Sequence, residues 1–154
     1  MSIQSAGGEG TDSLSLGLQW APGPVWRPAP GLLLEGQLEF AMGRWRARGA
    51  DGVRSWAWVS QFSLVPVLRL RGVDTTGPYA EIGIGPSYLT PVYRSRDKRF
   101  SSRFQFRDHL AVGWTWGAGA RHDLSVRIEH FSNGGLDEPN PGINLVGVRY
   151  TWRF

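Results

Sequence analysis

A histidine and a serine stand two residues apart, at His130 and Ser132. Alternate residues of a β-strand share a face, so a strand here sets an imidazole beside a hydroxyl. An imidazole in reach of a hydroxyl can take its proton while the oxygen attacks an ester carbonyl. Such a pair needs a third group that holds the imidazole in the right tautomer. The segment NGGLDEPNPG follows at 133–142, and its Asn, Gly and Pro mark turns. Gly134 and Gly135 lack a Cβ, so backbone amides there can approach an oxyanion. The plain alternative is that His130 and Ser132 face water at a strand end, beside an ordinary hairpin loop. His109 and His122 share no face with His130, and the spacing suits no metal. No metal or other cofactor is expected. Asp137 and Glu138 read as solvated loop charges.

The elements that must position this pair read as strands. In 124–132 the even positions are Leu124, Val126, Ile128, His130 and Ser132, against Ser125, Arg127, Glu129 and Phe131. This is period two, apolar on one face until its last two members; Glu129 is expected to point away from His130. The same parity runs through 32–42, 104–116 and 146–154. Further strands fit at 14–20, 56–70 and 79–88, and a short one at 3–6 makes eight. Pro66 lies inside its run, where proline removes a ladder donor and suggests a bulge. Eight strands over residues 2–154 predict one all-β domain, an eight-stranded antiparallel up-and-down barrel.

Alternation alone does not say which face looks outward. A soluble lipocalin-like carrier has an apolar inside; a membrane barrel inverts this. Three features favour inversion. Trp and Tyr gather at run ends, as in the aromatic girdles of transmembrane barrels. Several runs reach the roughly 9–11 residues a tilted strand needs to cross a bilayer. The polar face carries both Arg and Glu, which can pair inside a narrow barrel. The chain also ends in Phe154, like bacterial outer-membrane barrels. No run approaches the roughly 18 apolar residues of a transmembrane helix, and there is no cysteine. Met1 leads into SIQSAGGEG with no apolar h-region, which reads as a mature form of an exported protein. The chain has 8 Trp, and of 17 basic residues only Lys98 is a lysine. A net charge of +4 favours an anionic partner. The arginines are scattered, which argues against nucleic acid and leaves a phosphorylated lipid surface.

With the apolar face toward lipid, His130 and Ser132 face lipid too, where a polar group needs a reason. Pairing Gly117 with Asp123 across the 118–122 connection would set Asp108 opposite Ser132 and Leu110 opposite His130. Asp108 would then stand beside the pair on the outward face, a candidate third member.

The segment HFSNGGLDEPNPGIN, 130–144, closely resembles the signature of the PagL family of outer-membrane lipid A 3-O-deacylases. FQFRDHLAVG at 104–113 and YAEIGIGPSY at 79–88 resemble further family strands. The resemblance implies an integral barrel of the bacterial outer membrane whose site faces the outer leaflet. The implied partner is lipid A, or lipopolysaccharide, with hydrolysis of its 3-position acyl ester. By match His130 is the base and Ser132 the nucleophile. Asn133 and Asn140 fall on family asparagines and, with Gly135, are oxyanion or orienting candidates. The family carries a glutamate as third triad member where this chain has Asn144, placed by parity outward and opposite Ser132. Asn144 or Asp108 then orients His130. A weakly active or non-enzymatic lipid-binding barrel is the alternative reading, and a homodimer is left open.

Overall fold

Period-two alternation over most of the chain yields strands whose odd and even side chains part to two environments. The computed structural model describes residues 1–21, 25–49 and 56–154. Its strands are β1 Ser2–Gly8, β2 Thr11–Trp20, β3 Val25–Trp26, β4 Leu32–Arg48, β5 Trp56–Gly72, β6 Gly77–Thr90, β7 Phe104–Trp116, β8 His122–Ser132 and β9 Ile143–Trp152. Neighbours pair antiparallel in chain order. β1 pairs with both β2 and β9, and β2 pairs with β4, so eight strands close on themselves. The two-residue β3 lies beside β4 at one end. Closure gives each of these eight strands a partner on both sides, as hydrocarbon demands.

The outside is the apolar side. Leu14, Leu16, Leu18, Leu64, Leu68, Ile82, Ile84, Leu110, Val112, Val126, Ile128, Val146 and Val148 are all exposed. Water would not tolerate so continuous a surface on a monomer; a bilayer requires it. Trp20, Trp114, Trp116 and Trp152 ring the end that carries the termini, and Trp56, Trp58 and Phe104 the opposite end. The chain is therefore a transmembrane barrel, and the lipocalin-like arrangement is excluded.

The inside has two layers. At mid-height lie Arg69, Arg107, Arg127 and Arg149, all fully buried, with Glu39, Glu81, Glu129 and Asp123. Glu39 pairs with Arg107, Arg127 and Arg149 at 3.1, 2.8 and 2.6 Å. Glu81 pairs with Arg69, Arg127 and Arg149 at 2.9, 2.7 and 2.6 Å. Arginine's planar fork suits such shared contacts. Above this layer, at the end away from the termini, sits an apolar plug of Trp45, Val59, Leu89, Tyr93, Phe100, Phe131, Ile143 and Leu145. The 91–103 connection supplies Tyr93 and Phe100 and is thereby pinned over the barrel mouth.

Pro66 is accommodated without the suggested bulge. The β5–β6 ladder has one register on both sides, Ser63↔Ser87 and Val67↔Gly83, and simply opens between them. Proline's missing donor falls in that opening, and β4 still pairs across it as Leu38↔Pro66.

Candidate active site

Phe131 decides where its neighbours point. Its ring is buried in the plug, 4.7 Å edge-on from Trp45. His130 and Ser132 are therefore turned outward at the last turn of the β8 pleat, both half-buried. They share a face, as the spacing predicts. Among the described residues Ser132 Oγ makes no side-chain hydrogen bond, so its hydroxyl is not taken up elsewhere.

The register corrects two placements. β7 and β8 pair as Thr115↔Asp123, Asp108↔His130 and Phe106↔Ser132, two residues from the expected pairing of Gly117 with Asp123. The cause is the connection between them. A single 3-10 turn, Ala118–Ala120, has positive φ at Gly119 and Ala120 and follows Gly117, also at positive φ, and this compact shape takes up Gly117. β8 and β9 pair as His130↔Asn144, so Asn144 stands opposite His130 and not Ser132. Asp108, His130 and Asn144 thus form one outward row across three strands, with Ser132 one step above it.

Of the two flanking groups, Asn144 holds the imidazole. His130 Nδ1 and Asn144 Oδ1 are 2.8 Å apart. Asp108 is half-buried opposite His130 and makes no side-chain hydrogen bond among the described residues. Gly142 packs against the other edge of the ring, where an added Cβ would lie 2.6 Å from His130 Cε1.

The 133–142 loop is tied from within. Asn133, almost fully buried, donates from Nδ2 to Ser101 Oγ at 3.0 Å and to the Asp137 carbonyl at 2.6 Å. Gly135 N–H donates to Asn133 Oδ1 at 2.9 Å, so that amide is taken up inside the loop. Asn133 N–H donates to Asn140 Oδ1 at 3.0 Å. This bond holds the Asn140 side-chain oxygen against the loop backbone.

Sequence reasoning missed Glu9. It sits at the tip of the β1–β2 hairpin, far away in the chain, and barrel closure brings it to β9. Asn144 donates to it twice, from backbone N at 3.1 Å and from Nδ2 at 3.4 Å. Lys98 Nζ lies 2.6 Å from Glu9 Oε2 and donates to the Gly142 carbonyl at 2.9 Å. Partial burial would raise the Glu9 carboxyl, but the hydrogen bonds from Lys98 and Asn144 hold it below its ordinary value. The only hint in the sequence was the lone lysine; nothing there pairs it with residue 9. Equally unforeseen, Arg44, Arg46 and Arg48 project outward from the same end of β4.

A family model described as Lipid A 3-O-deacylase (PagL) matches residues 12–153. A relative from Bordetella bronchiseptica, Lipid A deacylase PagL, is 40% identical over 107 residues, 68% of this chain and 56% of that protein. The chain thus spans just over half the length of that relative. A protein of the same name from Pseudomonas aeruginosa is 28% identical over 145 residues, 94% of this chain and 80% of its own length. The crystal structure of the outer membrane enzyme PagL covers 100% of both chains with a TM-score of 0.81 and 26% identity. On the strength of the family match and the shared barrel, the chain belongs to the PagL family.

Proposed function

We propose that the protein is a lipid A 3-O-deacylase of the bacterial outer membrane, a serine esterase working at the outer-leaflet end of the barrel. The observation that carries this is the outward cluster of His130, Asn144 and, one step above them, Ser132 at a lipid-facing strand end of a PagL-family barrel. A hydrolytic group facing lipid meets an acyl ester without removing the substrate from its leaflet. His130 Nε2 accepts the Ser132 proton as Oγ attacks the ester carbonyl. Asn140 Nδ2 faces the developing oxyanion. The tetrahedral species collapses, and His130 returns the proton to the departing sugar oxygen. Water then attacks the acyl-serine, giving up a proton to His130, which passes it to Ser132 as the fatty acid leaves.

The surroundings suit a phosphorylated lipid. Arg44 bonds Ser60 Oγ at 2.7 Å, and Arg46 stacks over Trp56 at 4.3 Å while pairing with Asp12. With Arg48, and with Arg94, Arg96, Arg99 and Arg103 of the 91–103 loop, they line the same end and are exposed. An arginine at an anionic membrane surface contributes about 1 kcal/mol. Arg44→Gln with Arg48→Gln should therefore raise KM by roughly 30-fold, leave kcat nearly unchanged and flatten the salt dependence. Kinetics on mixed detergent micelles at two ionic strengths read this out. Gly142→Ala makes the opposite split. Its backbone is left-handed, φ 59°, and its Cβ would press on His130. We expect kcat at least about tenfold lower, since small displacements of a catalytic base are costly, with KM little changed.

Expression in a cell whose outer membrane carries fully acylated lipid A tests the reading as a whole. Loss of the 3-position chain supports it. Unchanged lipid A beside folded, membrane-inserted protein contradicts it and favours a barrel that only binds lipid.

A further inference from the structure

Asn144 occupies the place of the acid in a serine–histidine site yet carries no charge. An amide can face an imidazole in two ways. With oxygen toward Nδ1 it accepts the Nδ1 proton and leaves Nε2 bare; with nitrogen toward Nδ1 it donates, and the proton moves to Nε2, where it blocks base catalysis. Something must choose between them. Glu9 does so by elementary hydrogen-bond logic. A carboxylate only accepts, so the Asn144 nitrogen must face Glu9 Oε1, at 3.4 Å, and its oxygen must face His130 Nδ1, at 2.8 Å. Glu9 is itself held from two further sides, by Lys98 at 2.6 Å and by the Asn144 backbone N–H at 3.1 Å.

The backbone around Glu9 is built for this approach. Glu9 and Gly10 form the two-residue tip of the β1–β2 hairpin, with φ 48° and 76°. Such turns favour Asn, Asp or Gly at both positions, so a glutamate in the left-handed region is held against its preference, a feature that clusters at functional sites. Gly8 completes the fit: a Cβ there would lie 2.3 Å from the Asn144 carbonyl oxygen, so only glycine lets the turn reach β9.

We propose that Glu9 is a positioning residue: through the Asn144 amide it fixes His130 in the Nδ1–H tautomer, leaving Nε2 free to take the Ser132 proton, and it supplies the negative charge that Asn144 lacks. This rests on the hydrolytic reading above. Here the third member of the site is a pair, an amide in contact with the imidazole and a carboxylate behind it, drawn from opposite ends of the chain.

Glu9→Gln tests it. Lys98 and the Asn144 backbone would retain the single glutamine oxygen, turn its NH₂ toward the Asn144 side chain, and so favour the flipped amide. The detergent-folded protein, labelled with ¹⁵N-histidine, reports the tautomer of His130 directly above its titration, with His130→Asn assigning the signal. We expect His130 to move from Nδ1–H toward Nε2–H in Glu9→Gln. We also expect kcat for lipid A to fall on the order of 100-fold, KM to hold, and the loss to exceed that of a misplaced solvent charge. Adding Asn144→Asp exchanges amide and carboxylate between the two positions and should restore the Nδ1–H tautomer and recover at least about tenfold in kcat. An unchanged His130 tautomer in Glu9→Gln overturns the proposal, whether or not lipid A is cleaved. A shifted tautomer in a protein that never cleaves lipid A upholds the positioning role and removes the hydrolytic reading.

Discussion

Ser132→Ala is expected to abolish ester hydrolysis while leaving the barrel and its hold on lipid intact. The hydroxyl sits on the outward face, half-buried, and among the described residues bonds no side chain, so its removal disturbs nothing in the plug or the ion layer. What disappears is the hydroxyl beside His130 that would carry the acyl chain in the proposed reaction. Removing the nucleophile of a serine–histidine site typically costs on the order of 10⁴-fold or more in kcat, because the remaining groups act only through it. Binding should survive, since Arg44, Arg46, Arg48 and the apolar face remain. Titrating lipid A-containing micelles against Trp fluorescence, beside a turnover assay, reads both. A variant that still turns over at a tenth of the parent rate would remove Ser132 from the chemistry. Equal binding with no turnover in either protein would point to the lipid-binding barrel.

A second large effect is expected far from lipid A. Glu39 is buried at the centre of the barrel and answers Arg107, Arg127 and Arg149 together. Glu39→Leu leaves three guanidinium groups to share Glu81 and Glu129. Stripping one partner from a buried ion pair costs about 3–5 kcal/mol, because the orphaned charge stays desolvated. Arg127→Leu should cost less, since Glu39 and Glu81 keep Arg149, and the double variant should cost less than the sum of the two. Urea unfolding of detergent-folded protein, followed by Trp fluorescence, checks all three. Additive losses would mean that the interior charges act independently, contrary to the network seen here.

Much of the architecture was legible because a membrane barrel writes its two environments into alternate residues. Leu124, Val126 and Ile128 against Ser125, Arg127 and Glu129 give the strand, its face and the inward ion layer at once. The signal failed where the strands leave the hydrocarbon. β4 runs on to Arg48, but Arg44, Arg46 and Arg48 break the apolar stripe because that end meets headgroups rather than lipid tails. β9 likewise begins at Ile143, three residues before the apolar stripe resumes at Val146, since Asn144 belongs to the site. His130 and Ser132 were visible for the same reason: polar residues where apolar ones were due. Register was not legible to the last pair, because it depends on the compact 117–121 connection, with Ala120 in a left-handed conformation that its residue type does not announce. Glu9 was beyond reach altogether. Only closure of β1 onto β9 brings it to Asn144, and no local pattern encodes a contact across 135 positions.

The central claim is that an outward serine and histidine on this barrel cleave the 3-position ester of lipid A. Its most direct test is mass spectrometry of purified lipid A incubated with detergent-folded protein, with fragmentation to assign the chain that is lost, beside Ser132→Ala. The account predicts loss of one hydroxyacyl chain, from the 3 position, with the parent protein alone. Loss from another position, equal loss with Ser132→Ala, or no loss with a folded parent would contradict it.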